Sequence, residues 1–325
     1  MISSAMLMAA GLGTRMSPFT DSFPKPFLPL FGVPTVQYAL DHLFGAKVSD
    51  VVLNLHHEAN LAERLSAKLE IVKGAHLHLS DERAELLGSA GGIRSALKHL
   101  KGDRFFVVNG DSLSDIDLRK LEGAHEKNRA SFGALLTLAL VEPSNRSETY
   151  REIKIESGTG KIRELGTRQK NRPYYSGVAI LERAAVASLV DGKPADFVEH
   201  LLGPAVQQDR AGYEMFSGFW ADIGSPDLWM ETHFTLLDAH ARGKAPSYIQ
   251  KRIDQSVACL SGRRWKLKSS KAPASLDQWL EPCFWGGEGE APHKFGPKGV
   301  SYNDAAHTEK SGIGFAGKWV GPTQP

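Results

Sequence analysis

Four short stretches of this sequence combine residue types whose spacing suits the handling of a multiply charged anion. The first is MLMAAGLGTRMSPFTDSFPKPFLPLFGVP (Met6–Pro34), where an apolar run meets two glycines, a threonine, an arginine and a lysine. Gly11 and Gly13 can take φ > 0 and let backbone amides converge on an anion. Thr14 adds a hydroxyl, and Arg15 a planar fork suited to phosphate oxygens. Lys25 stands between Pro24 and Pro26, which hold its ammonium on a stiff segment. A triphosphate, or a pyrophosphate leaving it, fits this set. A dinucleotide fingerprint would need glycine where Met16 stands, and a P-loop would need G-K-[ST]; the stretch has neither.

The second stretch, VVNGDS (Val107–Ser112), is an apolar strand ending in Asn109-Gly110-Asp111. A carboxylate at a strand's carboxyl end suits Mg²⁺, which takes one or two carboxylates plus phosphate oxygens and water. An Asx turn leading into the next helix accounts for the same residues. In the third, GFWADIGSPD (Gly218–Asp227), Ser225 and Pro226 read as the N-cap and first residue of a helix. That leaves Asp222 as a second candidate carboxylate for the metal. The fourth, ERAELLGSAGGIRSAL (Glu82–Leu97), places Gly88, Gly91 and Gly92 ahead of a helix, where backbone can approach a flat ligand, and offers Glu85 as an acceptor. A helix preceded by a flexible loop explains it equally.

The elements that must carry these stretches follow from apolar periodicity. Met6–Ala10, Asp50–Leu55, His76–Leu79 and Phe105–Asn109 are strand-like, and Pro34–Phe44, Asn60–Leu69, Ala90–Leu100 and Leu118–Lys127 have helical spacing. This alternation predicts an α/β fold, a Rossmann-like mixed, mostly parallel sheet flanked by helices, with ligands beyond the carboxyl ends of its strands. From Ser131 the pattern turns strand-rich, with Phe132–Val141, Tyr150–Glu156, Lys161–Leu165 and Tyr174–Leu181 separated by turns; Phe197–Gln208 and Asp227–Arg242 then read as helices. Residues 244–325 form an irregular C-terminal extension, rich in Gly, Pro and Trp and with no internal repeat. The expected domains are 1–243, with a nucleotide half to about 130 and a second half from 131, and the extension 244–325.

Composition narrows the partners. The chain has 325 residues with 39 Lys and Arg against 37 Asp and Glu, so nothing calls for nucleic acid or an anionic membrane. From Lys244 onward there are 12 Lys and Arg against 7 Asp and Glu, too diffuse for a nucleic-acid arm. No apolar run approaches the ~20 residues needed to span a bilayer. The apolar stretch at the start has no basic n-region and reads as a strand running into a loop, not as a signal peptide. Cys259 and Cys283 make neither a disulfide framework nor a zinc cluster, and read as two buried thiols in a reducing cytoplasm. His56-His57-Glu58 is not H-E-x-x-H, and His76 and His78 alternate on a strand facing solvent.

Taken together, these stretches resemble the sugar-1-phosphate nucleotidyltransferases, the nucleotide-sugar pyrophosphorylases. AAGLGTRMSPFTDSFPKPFLPLFGVP is similar to that family's A-A-G-x-G-T-R-x-x-P-x-T loop and P-K-P-x-x-P-x-x-G-x-P run. ELLGSAGGI resembles its E-P-L-G-T-A-G base segment, and NGDS and WADIG resemble its two metal aspartates. The resemblance covers residues 1 to about 243. It implies a nucleotide site of Ala10, Gly11, Gly13, Thr14, Glu85, Gly88 and Ser89, catalysis by Arg15, Lys25 and Asp111, and Mg²⁺ on Asp111 and Asp222. It also implies sugar-phosphate contacts at Asn109, Arg168 and Gly177.

Two departures concern the sugar. YREIKIE (Tyr150–Glu156) has Arg151 where many members have glycine, and ELGTRQK (Glu164–Lys170) has Thr167-Arg168 where many have Glu-Lys. The reaction implied is NTP plus sugar 1-phosphate giving a nucleotide-sugar, a cell-envelope precursor, and pyrophosphate. ELLGSAGG leans toward GTP with a mannose-like or heptose 1-phosphate, and YYSGV (Tyr174–Val178) toward UTP with N-acetylmuramate 1-phosphate; the mannose-1-phosphate guanylyltransferase and N-acetylmuramate-1-phosphate uridylyltransferase branches both stay open. A non-catalytic nucleotide-sugar-binding regulator is the alternative. Beyond the two substrates, the partner expectation is another copy of the chain, met through the extension.

Overall fold

A computed structural model describes residues 1–142, 150–168, 172–261 and 264–268, with four further strands at Cys283–Trp285, Gly299–Tyr302, Gly312–Phe315 and Lys318–Val320. The chain opens with β1 (Ser4–Met8), then a short hairpin of β2 (Pro29–Leu30) and β3 (Val33–Pro34), and α1 (Thr35–Gly45). Next come β4 (Asp50–Leu55), α2 (Ala59–Ser66), β5 (His76–Asp81), α3 (Gly88–Ala96) and β6 (Arg104–Asn109). A three-residue β7 (Ser112–Ser114) precedes α4 (Leu118–Phe132). There follow β8 (Leu136–Val141), β9 (Arg151–Glu156), β10 (Lys161–Arg168), β11 (Tyr174–Glu182), α5 (Arg183–Ala187), α6 (Gly203–Gln207) and β12 (Ala211–Phe216). The rest comprises β13 (Trp220–Asp222), α7 (Pro226–Ala241), α8 (Ser247–Ser256), β14 (Val257–Ser261), β15 (Arg264–Leu267), β16 (Cys283–Trp285), β17 (Gly299–Tyr302), β18 (Gly312–Phe315) and β19 (Lys318–Val320).

These elements divide into two compact units. The first is Met1–Gly11 with Ala39–Trp220, and the second is Leu12–Tyr38 with Ala221–Pro325. The first unit holds a nine-stranded sheet in the order β5-β4-β1-β6-β11-β8-β12-β10-β9. Its β5-β4-β1-β6 part is parallel, as the strand–helix alternation predicts. Beyond β6 the sheet is mixed: β11 runs antiparallel to β6 and β8, β12 is parallel to β8, and β10 and β9 run antiparallel. The change of pattern at Ser131 is the switch from crossover helices to hairpin-type connections. On one face, Met6, Val107, Leu138 and Ala179 of the sheet pack against Ala90, Ile93 and Ala96 of α3 and Phe197, Leu201 and Ala205.

Where element bounds differ from expectation, a local cause is visible. α4 runs through Phe132 because Gly133, at φ 67°, caps it, so the following strand starts only at Leu136. The Phe197–Gln208 helix opens with a wide turn at Val198–Leu202 before α6. His76 faces solvent, but His78 is half-buried and stacks on His99 at 5.1 Å.

In the second unit, β14 to β19 form a six-stranded sheet whose β15-β16-β17-β18 core is parallel. The register aligns Cys259, Trp265, Phe284, Val300, Ile313 and Val320 in one column. The parallel strands begin at 264, 283, 299 and 312, unequal intervals that leave no fixed repeat to read. Cys259 is exposed, which corrects the expectation of a buried thiol: it lies on β14, the first strand of the column. The Cys283 side chain, Gln169, Lys170 and most of Phe284–Pro297 lie outside the described residues.

Candidate active site

In the second unit, the loop expected to hold phosphate is built on Gly13. Its φ is 68°, and its carbonyl accepts from the Met16 N–H and the Thr20 hydroxyl, both at 2.8 Å. A Cβ at position 13 would lie 3.1 Å from Lys25 Cβ and 3.2 Å from Thr20 Cγ2, so both conformation and space demand glycine. Thr14 and Arg15 lie exposed on the short turn Thr14–Met16, whereas Lys25 is only 8% exposed in the turn Lys25–Phe27.

The back of this loop rests on α7. The Trp229 indole N–H donates to the Pro29 carbonyl at 3.0 Å, and its ring meets the Phe19 ring edge-on at 5.4 Å. His233, one turn further, packs on Phe31, and complete burial lowers its imidazole to about 4. It is neutral at physiological pH. Asp222 is 7% exposed, and a side chain at Gly224 would come within 2.8 Å of Asp222 Oδ2 and 3.4 Å of Arg15 Nη1. Gly224 therefore keeps open the space in which the arginine and the aspartate approach each other. Ser225 caps α7 as expected, its hydroxyl accepting from the Leu228 N–H at 3.3 Å.

In the first unit, β6 delivers Asn109 and Asp111 to its carboxyl end, and β11 brings Gly177 to Asn109. Gly177 has φ 84°, and a Cβ there would lie 2.7 Å from Asn109 Nδ2. The β11–β8 register breaks between Tyr175 and Ala179 to make this approach. Beside it, Tyr174 stacks on Tyr150 at 4.7 Å and meets Trp220 at 5.3 Å, while the Trp220 N–H donates to the Ser176 carbonyl at 2.8 Å. Burial pushes the Tyr175 phenol well above its ordinary value.

Arg168 ends β10 directly opposite Arg151 of β9, and both are exposed. Like charges facing each other across a ladder are unfavourable. Among the described residues neither guanidinium has an ionic partner. Arg151 also precedes Glu152, which registers with Tyr174, so the pair lies beside the strand that carries Tyr175 to Gly177.

The base segment differs from its expected form. Glu85 is exposed, whereas Glu82 is 2% exposed and accepts from Asn54 Nδ2 at 2.7 Å and from the Leu87 N–H at 3.2 Å. Burial raises the Glu82 carboxyl above its usual range, and these two hydrogen bonds pull the other way. The glycines face the chain itself: a Cβ on Gly88 would lie 2.8 Å from the Ala195 carbonyl, and one on Gly91 would lie 2.5 Å from that of Lys193. The Ala90 and Gly91 N–H groups donate to Ala195, and the Ser89 hydroxyl accepts from the Phe197 N–H at 2.7 Å. Sequence reasoning missed Asn54, Glu82 and the strap at 193–197; the polar Asn54 inside the buried DVVLNL strand was the available signal.

Comparison with known proteins shows the family. The nucleotidyl transferase family model matches residues 4–239. The chain belongs to that family. It is thus an enzyme of the nucleotidyl-transfer class, with the Rossmann-like fold its sequence predicts. N-acetylmuramate alpha-1-phosphate uridylyltransferase of Neisseria meningitidis is 31% identical over 223 residues, 68% of this chain and 93% of that protein. Mannose-1-phosphate guanylyltransferase of Mycobacterium tuberculosis is 30% identical over 255 residues, 75% and 66% of the two chains. Among solved structures, HddC of Yersinia pseudotuberculosis shares the fold with a TM-score of 0.61 at 22% identity, covering 71% of this chain and 97% of that one. The inositol-1-phosphate CTP transferase of T. maritima does so at 0.55 and 20%, covering 70% and 91%. No helix among the described residues is long and apolar enough to cross a membrane.

Proposed function

We propose that the chain joins an NTP to a sugar 1-phosphate, releasing pyrophosphate, and that residues 1–243 carry the reaction. The observation that carries this reading is the set of exposed cations: Arg15 on the Gly13 turn, and the opposed Arg151 and Arg168 beside Gly177. Both substrates are multiply anionic, and their mutual repulsion is the barrier to be overcome. A sugar phosphate oxygen is already charged, so it attacks the α-phosphorus without a general base, and the bond to pyrophosphate breaks on the opposite side. Catalysis is then positioning and charge neutralisation.

In this reading, Arg15 and Lys25 offset charge on the α-phosphate and on the departing pyrophosphate, and the amides of Ala10, Gly11 and Gly13 with the Thr14 hydroxyl hold the remaining oxygens. The exposed Glu85 and the backbone of Gly88 and Ser89 meet the base, the Ser89 hydroxyl being engaged already. Asn109, Arg168 and the Gly177 backbone orient the sugar phosphate. The donor chemistry suits Mg²⁺: Asp111 and Asp222 each offer one hard carboxylate, the ligand type this ion takes together with phosphate oxygens and water. Bound there, Mg²⁺ would supply positive charge to phosphate oxygens. The extension 244–325, with its strand column, is assigned to self-association.

Pyrophosphate release tests the proposal, measured with Mg²⁺ over all common NTPs and a panel including mannose, heptose and N-acetylmuramate 1-phosphates. A single productive pair is expected, either GTP with a mannose-like or heptose 1-phosphate or UTP with N-acetylmuramate 1-phosphate. No release from any pair, with nucleotide-sugar binding intact, would replace the enzyme with a sensor.

A further inference from the structure

We infer that Asn54 and Glu82 are positioning residues for the nucleotide, a polar bracket that sets the separation between the backbone leaving β1 and the turn that opens α3. The inference rests on the reading that Ala10–Gly13 holds phosphates and Glu85–Ser89 meets the base. Its geometry lies within one unit. The Ala9 N–H, the first beyond β1, donates to Asn54 Oδ1 at 2.7 Å. On the other side of the same amide, Asn54 Nδ2 donates to Glu82 Oε1 at 2.7 Å. The second carboxylate oxygen, Oε2, accepts from the Leu87 N–H at 3.2 Å, one residue before α3. The Glu82 backbone is held too, its N–H donating to Leu55 and its carbonyl facing His56 Nδ1 at 2.8 Å.

Each link has one chemically defined polarity. Ala9 and Leu87 are backbone donors and need acceptors, so the connecting pair must present an acceptor at each end and one donor between them. An amide followed by a carboxylate does this. The bracket is also tightly confined: a Cβ at Gly92 would lie 2.6 Å from Glu82 Oε1 and 2.9 Å from Asn54 Nδ2. A buried carboxylate is costly to maintain, and a purely apolar contact could have joined these strand ends. What the polar chain adds is a fixed span between two backbone groups on either side of the proposed nucleotide.

The polarity makes the test specific. Glu82→Gln offers one acceptor and one donor where two acceptors are needed, so the Asn54 or the Leu87 bond is lost. Asn54→Asp sets a carboxylate against Glu82. In the double variant Asn54→Asp/Glu82→Gln the polarity simply reverses: the new carboxylate accepts from Ala9 and from the new amide, whose oxygen accepts from Leu87. GTP and UTP affinity by calorimetry, KM for each substrate and Tm would be measured for all four proteins.

Each single variant is expected to weaken binding of the preferred NTP about tenfold, leaving the KM for sugar phosphate within twofold, and the double variant to recover to within about threefold. Equal changes in both KM values, a fall in Tm with unchanged NTP affinity, or additive losses in the double variant would overturn the bracket. If a single variant fails to fold, recovery in the double variant still supports it, and a double variant that fails to fold or binds weakly overturns it. Absence of NTP binding by the wild-type chain would sink the functional reading and this role with it. Normal wild-type binding with insensitive variants would sink the bracket alone.

Discussion

Two glycine-rich segments follow strands in this chain, one leading into a helical turn and the other, expected ahead of a helix, lying within α3, and the fold uses them in opposite ways. Around Gly11 the chain leaves space: nothing lies within 4 Å of a Cβ at that position, and Thr14 and Arg15 just beyond it are exposed. Around Gly88 and Gly91 the chain fills the space itself, with the carbonyls of Ala195 and Lys193 at 2.8 and 2.5 Å from the absent Cβ atoms. Glycine in a sequence reports close approach. What approaches, a ligand or another part of the chain, is a separate matter.

If positions left open carry chemistry and filled ones carry structure, substitutions should separate accordingly. The largest effect is expected at Lys25, the buried cation packed against Gly13 behind the open positions. Lys25→Ala should lower turnover about 1,000-fold, about 4 kcal/mol of barrier, with a folded protein remaining by circular dichroism. Turnover within tenfold of wild type would remove Lys25 from the reaction.

The core behind the open loop is next, through His233. Its value of about 4 in the fold lies below the ~6.5 of an unfolded chain, so the unfolded state takes up the proton first. Stability is therefore complete above about pH 6.5 and lost as pH falls toward 4, by up to about 3 kcal/mol. Tm followed from pH 7.5 to 4.5 checks this, and His233→Gln should make the profile shallower, His42 and His125 being lowered by burial as well. Parallel profiles for both proteins would remove His233 as the cause.

A smaller effect is expected in the filled segment. Gly91→Ala places a methyl group against the Lys193 carbonyl and should cost about 1–2 kcal/mol of stability. Turnover of the folded protein should stay within threefold of wild type. A large loss of turnover without loss of stability would make this segment as open as the first.

The smallest effect sharpens the comparison at the sugar end. Arg168, exposed and opposite Arg151, belongs with the open positions. Arg168→Ala should raise KM for the sugar phosphate about tenfold, about 1.4 kcal/mol, and KM for NTP less than twofold. Equal rises would return Arg168 to the surface.

Much of residues 1–243 was legible because its information is local. The bounds of β4 are those its apolar run predicts, and Ser225 with Pro226 marks the start of α7, since a cap needs only a few neighbouring residues. Asp111 stood out for the same reason, as a carboxylate at a strand end, and Asp222 as the carboxylate that the helix cap leaves over. The sequence does not separate Glu85 from Glu82 because burial is not written in the residue type: both are glutamates in one loop, and only the approach of Asn54 and Leu87 buries one of them. The extension hid its strand column because its strands start at unequal intervals, so no period announces the register.

The sequence by itself determined the α/β alternation, the family and the residue types offered to phosphate, because these depend on composition and short-range spacing. Tertiary structure alone decided which glycines stay open, which glutamate is buried and what supports the loop. Trp229 reaches Pro29 across 200 residues, and Ser89 reaches Phe197 across 108. Such contacts form only when distant segments pack, where close packing and the need to pair every buried polar group choose among residues that look equivalent in the sequence.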